Sequence, residues 1–256
     1  MRGSLLLLAS LLKLTLNAAD LADLKLTATI PLQATLHHVQ GIDTDGDYLW
    51  VSSVWKAEKK GFLTKFELAT GKLIAQVEVQ DGAKIHPGGI ALHNGSIWIP
   101  VAEYDRDGPT SMQRRDSRTL ALLSSFNVND HIGCVAAAKD GLVGGNWDSR
   151  TLYRWTYAGV ETGRTANPRA NAYQDLKFVD GRLVGSGLDA AQRAGGIEWL
   201  DPANGYALVR RLDAGATDRG LALTNEGMTI HKGKLYLLPE DDPSRLFVYA
   251  LDLNKN

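Results

Sequence analysis

The sequence holds one cysteine, Cys134, so no disulfide can form within the chain and no C-x-x-C pair is available to zinc. Neither sign of charge dominates: 28 Lys and Arg face 29 Asp and Glu. The formal net charge of −1 gives no electrostatic case for nucleic acid or an anionic membrane as a partner. Beyond the N-terminus no apolar run approaches the ~18 residues that a membrane-spanning helix needs. A G-x-x-x-x-G-K-[ST] loop, an H-E-x-x-H helix and a G-x-S-x-G elbow are all absent. These absences remove the motifs of P-loop nucleotide hydrolases, zincin proteases and α/β-hydrolases.

What the N-terminus has is a basic start, an apolar stretch and small residues in "MRGSLLLLASLLKLTLNAAD". Residues 1–19 read as a signal peptide, so the protein is expected to be periplasmic or secreted. From residue 20 to 256 no linker or composition shift intervenes, and a single domain is expected.

That domain is repetitive. Five segments align without a gap: "QGIDTDGDYLWVSS" (40–53), "GGIALHNGSIWIPV" (88–101), "GCVAAAKDGLVGGN" (133–146), "QDLKFVDGRLVGSG" (174–187) and "EGMTIHKGKLYLLP" (226–239). The third column is always apolar (Ile42, Ile90, Val135, Leu176, Met228), and so is the tenth (Leu49, Ile97, Leu142, Leu183, Leu235). Between them lie turn residues such as Asn94-Gly95, Asp140-Gly141, Asp180-Gly181 and Lys232-Gly233, the pattern of a hairpin. A third apolar stretch follows every hairpin and a fourth follows all but the last, where the chain ends. "LKLTATIPL" (24–32) precedes the first hairpin as a spare. Four-stranded sheets repeated every 40–50 residues predict an all-β, five-bladed propeller of antiparallel blades. The N-terminal strand would complete the last blade and remove its exposed edge.

Within a blade of strands a to d, the connections entering a and leaving b share one face, here called the top. The column entering strand a holds His38, His86, His131, Ala172 and Thr224; two residues on it holds Gln40, Gly88, Gly133, Gln174 and Glu226. The column after strand b holds Trp55, Glu103, Asp148, Asp189 and Asp241. Propeller ligands sit where the innermost strands converge, so this face is the expected site. Glu226, His86, His131, Glu103 and Asp148 are the candidate catalytic residues. His38, Gln40, Gln174, Asp175, Trp147, Arg150 and Glu240 are the candidate ligand contacts.

Two chemistries fit this set. Imidazole and carboxylate suit one divalent ion, zinc or calcium, with His38, His86 and His131 as its ligands. The same groups also suit acid–base work without metal. Against both stands a structural reading, in which each histidine pins a loop of its own or the next blade. "DSR" at 148–150 and "PSR" at 243–245 occupy matching b–c connections, so Arg150 and Arg245 either receive an anion or pair with neighbouring acids. Cys134 opens a central strand and is expected to be buried. "DTDGD" (43–47) lacks the distal Glu of a calcium loop and reads as a turn.

The phrases "HHVQGID", "HPGGI", "IPVAEY", "DHIGCVA", "GLVGGNWDSR", "AYQDLKF", "NEGMTI" and "LYLLPEDDPSRLF" resemble a family of exported bacterial proteins with a domain of unknown function. The likeness runs from about residue 35 to 250 and implies a propeller and export. More distantly, the hairpins resemble those of gluconolactonase and strictosidine-synthase-like propellers, whose sites hold calcium at the channel mouth. Glu226-Gly227 matches the opening Glu-Gly of those lactonases, but their Asn-Gly and Ser-Asp-Gly metal motifs have no counterpart here, and their rings have six blades. The five-bladed glutamine cyclotransferases carry a Thr-Gln-Gly-Leu similar to Val39-Gln40-Gly41-Ile42; their later motifs are missing. The expectation is therefore a monomeric hydrolase or lyase acting on a small molecule, lactonase-like, with its site at the channel mouth. The alternative is a non-enzymatic propeller that binds a ligand or protein in the cell envelope.

Overall fold

A turn residue that tolerates positive φ followed by glycine is what reverses the chain most sharply between two strands, because it matches their twist. Asn94-Gly95 (φ 47° and 71°), Asp180-Gly181 (49° and 76°) and Lys232-Gly233 (46° and 70°) all do this. Asp140-Gly141 departs from them, with no positive φ at either residue. There a Cβ on Gly141 would sit 2.1 Å from the Trp155 carbonyl oxygen, so the glycine answers to close approach of the neighbouring strand.

The computed structural model describes residues 19–189 and 195–252, and the signal-type segment before Ala19 lies outside them. Blade 1 consists of β3 (His38–Thr44), β4 (Tyr48–Trp55), β5 (Lys60–Glu67) and β6 (Leu73–Glu78). Blade 2 consists of β7 (Lys84–Pro87) and β8 (Ala91–His93), both paired with β9 (Ser96–Glu103), then β10 (Thr110–Asp116) and β11 (Leu122–Val128). Blade 3 holds β12 (Ile132–Ala137), β13 (Leu142–Asn146), β14 (Thr151–Trp155) and β15 (Glu161–Ala166). Blade 4 holds β16 (Ala172–Val179), β17 (Arg182–Leu188), β18 (Gly195–Asp201) and β19 (Ala207–Ala214). Blade 5 holds β20 (Gly227–His231), β21 (Lys234–Leu238) and β22 (Arg245–Ala250), and its fourth strand is β2 (Leu26–Pro31), from the other end of the chain. Closure is therefore antiparallel pairing of β2 with β22, with Thr29 opposite Phe247. A two-residue β1 (Ala19–Asp20) adds a parallel pair outside β19.

Burial falls from the axis outward. The innermost strand β3 is buried along nearly its whole length, while the outermost β15 is almost entirely exposed. Among the described residues the buried apolar side chains gather in five clusters, and each lies between two neighbouring blades. The repeated third and tenth columns supply their centres: Ile42 and Leu49 between blades 5 and 1, Ile90 and Ile97 between 1 and 2, Leu176 and Leu183 between 3 and 4. A blade cannot bury both faces alone, so stability comes from stacking around the ring. Trp50 and Trp98 lie in this packing, and Trp50 Nε1 donates to the Ser117 carbonyl of blade 2 at 3.0 Å. Cys134 is fully buried, and burial pushes its thiol up to about 12, which leaves no thiolate for nucleophilic work. The "DTDGD" stretch is a plain turn, in which Asp45 Oδ1 accepts from the amides of Asp47 and Tyr48.

Candidate functional site

The innermost strands do not run straight into the top face. Pairing in blade 1 skips from Val39 to Gly41, in blade 3 from Ile132 to Cys134 and in blade 4 from Tyr173 to Asp175. Such a bulge leaves one residue unpaired and turns its side chain away from the ladder. The unpaired residues are Gln40, Gly133 and Gln174, and all three line a pocket at the channel mouth. In blade 5 the same column holds Glu226, immediately ahead of β20.

Around Gly133, which lines this pocket, the innermost strands pack on glycines. A Cβ on Gly88 would lie 2.1 Å from the Gly133 carbonyl oxygen, and one on Gly89 2.5 Å from that of Gln174. The close approach lets blades bond directly, Gly89 N to Gly133 O at 2.8 Å and Val135 N to Gly89 O at 3.1 Å. Asp175 is fully buried and does not line the pocket. It accepts from the amides of Ile42 (2.9 Å), Met228 (3.1 Å) and Leu176 (3.0 Å), and from Lys177 Nζ at 2.5 Å. Lys177 in turn donates to the Ile90 carbonyl at 2.8 Å. Asp175, expected from sequence to touch ligand, instead bolts blades 1, 2, 4 and 5 together. Burial raises its carboxyl to about 7, against the opposing pull of Lys177 and the amides.

The pocket has an open volume of about 680 Å³. Blades 2 and 3 give it a hydrogen-bonded pair of imidazoles. His131 is 1% exposed, and its Nδ1–H donates to the Asp105 carbonyl at 2.7 Å. A carbonyl can only accept, so the proton sits on Nδ1 and Nε2 is the acceptor. His131 Nε2 lies 3.2 Å from His86 Nδ1, which therefore carries a proton and donates it. His86 Nε2 is left with a bare lone pair and no partner among the described residues. Burial, helped by His131, His38 and Lys56, pushes His86 down to about 3, so it is neutral at physiological pH. His131 is also lowered by burial, with the carbonyls of Asp105 and Glu103 opposing. Tyr104 packs against His86 at 4.5 Å between ring centroids, and Trp147 meets His131 edge-on at 4.6 Å.

Blades 5 and 1 give a carboxyl. Glu226 is 4% exposed, and among the described residues its hydrogen-bond partner is Asn225 Nδ2, which donates to Oε1 at 2.9 Å. Burial, then repulsion from Glu240 and Asp175, raises it well above the carboxylate range. Glu240 Oε1 sits 2.7 Å from His38 Nδ1. The side chain of Gln40, 5% exposed, also opens on the pocket, with no partner among the described residues.

The structure divides the three histidines expected to form one ligand set. All three histidines line the pocket, yet two bond to each other while His38 joins Glu226 and Glu240, whose donor atoms lie within 4.8 Å of one another. The reason is blade position: His86 and His131 lean together between blades 2 and 3, and His38 faces the seam between blades 1 and 5.

Of the remaining expected residues, Gln174, Trp147 and Asp148 line the pocket, with Asp148 paired to Arg106. Glu103 does not line it. Arg150 lines a neighbouring groove, and Arg245 is held by Asp241 and Asp218. Asp241, in the same column as Glu103 and Asp148, is buried between Arg219 and Arg245. Sequence columns missed Tyr104, Asn146 and Tyr173, which complete the wall. Tyr104 and Asp105 belong to the long stretch 102–115, whose length between strands was the available signal.

A family of unknown function, DUF6454, matches residues 19–189. Among solved structures, glutaminyl cyclase of Myxococcus xanthus superposes with a TM-score of 0.68 at 15% identity, covering 89% of this chain and 96% of that one. The WD40 domain of Neurospora crassa Pan2 has a TM-score of 0.49 at 11% identity, covering 89% and 72%. BamB from Moraxella catarrhalis has a TM-score of 0.44 at 10% identity, covering 87% and 61%. No curated protein matches by sequence. At 15% identity the likeness to the Myxococcus xanthus protein establishes the propeller fold and leaves the chemistry to the site.

Proposed function

We infer that this chain, which belongs to the family of unknown function DUF6454, is an acid–base enzyme of the hydrolase or lyase class acting on a small molecule. One observation carries the reading: a buried carboxyl raised well above its usual value, Glu226, opens on the same pocket as a neutral imidazole, His86, whose Nε2 has no partner among the described residues. A carboxyl whose pKa burial raises is better able to hold a proton and pass it to a leaving group than an ordinary carboxylate. His86, pushed far below neutral pH, is suited to orienting a nucleophile rather than ionising.

In hydrolysis, water held by its hydrogen bond to His86 Nε2 attacks the substrate's electrophilic carbon. Glu226 gives its proton to the leaving oxygen as the old bond breaks. The proton lost by the attacking water then returns to the Glu226 carboxylate. His131 and the Asp105 carbonyl fix the tautomer that keeps His86 Nε2 an acceptor. The side-chain amides of Gln40 and Gln174, without partners among the described residues, offer both donors and acceptors for orienting the substrate. The N-terminal segment 1–19 supports export, so a periplasmic or secreted substrate is proposed.

The test is a turnover screen of the purified chain against lactones, esters and glycosides. An N-terminal glutaminyl peptide is included because a glutaminyl cyclase shares the five-bladed architecture. Turnover that is abolished in Glu226→Gln and unchanged by dialysis against EDTA supports the reading. Ligands that bind without any turnover would favour a non-enzymatic binding propeller instead.

A further inference from the structure

The groove that leaves the pocket carries a cation without a carboxylate of its own. It encloses about 990 Å³, shares Asp148 and Gln174 with the pocket, and is lined further by Arg150, Asn167 and Arg169. Other charges here are matched. Asp148 is engaged by Arg106, Arg169 Nη2 sits 2.9 Å from Glu198 Oε1, and Asp189 has an interaction of its own. Arg150 differs: its Nε donates to the Trp147 carbonyl at 3.3 Å, and no carboxylate among the described residues pairs with it. The equivalent residue of blade 5 shows what the alternative looks like. Arg245 is clamped by Asp241 at 2.5 Å and Asp218 at 2.7 Å.

The backbone that presents Arg150 is fixed on several sides. Asp148 and Ser149 both have positive φ, 59° and 50°, which consecutive non-glycine residues rarely adopt. Such a turn persists only where its surroundings over-determine it. Ser149 Oγ, fully buried, donates to the Tyr173 carbonyl at 3.0 Å. The Arg150 carbonyl accepts from Asn167 N at 2.9 Å, and Thr151 N donates to Asn146 Oδ1 at 2.9 Å. The same turn lays Trp147 against His131, so the Arg150 backbone is fixed next to the imidazole pair.

A planar guanidinium with free Nη donors is the protein group best matched to a carboxylate or phosphate. We propose that the ligand of this site carries an anionic group, carboxylate or phosphate, which Arg150 holds in the groove while the reacting end lies between Glu226 and His86. The proposal rests on the acid–base reading of the pocket and narrows its substrate to anionic small molecules.

Isothermal titration of the full chain with glutarate, inorganic phosphate and uncharged glutaramide tests it. Glutarate or phosphate should bind at least tenfold more tightly than glutaramide. Arg150→Gln should weaken the preferred anion at least tenfold without lowering the melting temperature, and Arg150→Lys should recover part of the loss. Anion affinity equal to that of glutaramide, absence of any anion binding, or an Arg150→Gln variant that binds as the parent does would each overturn the anchor. Glu226→Gln separates the two ideas. It should keep anion binding and lose turnover, and turnover that survived it would sink the acid–base reading while leaving Arg150 in place.

Discussion

His86 donates from Nδ1 to Nε2 of His131 across 3.2 Å, and the two come from consecutive blades. Because His131 spends its own proton on the Asp105 carbonyl, the pair has a single direction. His131 is thus a positioning residue for His86. His131→Ala should free the His86 ring to flip, lowering turnover about 10–100-fold, the range seen when outer-shell partners of a functional imidazole are lost. The 15N shifts of His86 should move from the Nδ1–H pattern toward a mixture of tautomers. An unchanged pattern would mean that something other than His131 sets it.

The His86 ring should also resist acid. With burial holding it down to about 3, its Cε1 resonance should show no titration between pH 8 and 5. A midpoint inside that window would place His86 among ordinary solvated histidines and remove its neutral role.

Glu226→Gln should lower turnover at least ~100-fold, since general acid catalysis contributes on that scale. It should also change the pH dependence of stability. The folded pKa lies above the unfolded value of 4.5, so the folded protein binds the extra proton. Stability from this group is full below about 4.5 and is eroded as pH rises toward the folded value. The variant cannot lose it, so its melting temperature should gain on the parent's between pH 5 and 8. A constant difference across that range would show that Glu226 is ionised in the folded state.

Asp175→Asn should be strongly destabilising, by about 3–5 kcal/mol, because Lys177 would stay buried without its counter-charge. Asp175→Asn with Lys177→Met should recover part of that loss in urea melts. If the single variant melts like the parent, the inter-blade bolt at the axis contributes nothing.

Deleting residues 20–32 should leave β22 with an open edge and drive aggregation. Soluble deletion protein with an unchanged melt would refute the role of β2 in closure.

The repeat made much of this architecture legible. Turn dipeptides and two apolar columns set the blade count, because every blade solves the same packing problem against its neighbour. The bulge column was legible too: Gln40, Gln174 and Glu226 align in sequence and converge in space. What alignment could not supply was distance around the ring. His38, His86 and His131 are equivalent by column, yet they divide into a bonded pair and a seam residue. Asp175 stands next to Gln174 in the chain, but the bulge sends one side chain up to the pocket and the other down among the innermost strands. Tyr104 stands one residue past the Glu103 column, where other blades hold Lys56, Ser149 and Asp242, so nothing shared marked it.

The join between the two chain ends has a consequence for how the protein is made. His38 leaves the ribosome 202 residues before its partner Glu240. Until blade 5 is synthesised and takes up β2, neither Glu226 nor Glu240 stands opposite the imidazole pair, and the nascent chain has half a pocket. Activity should therefore arrive in one step with the final blade. On the proposed acid–base reading, a message truncated anywhere upstream of β22 would yield an inert product.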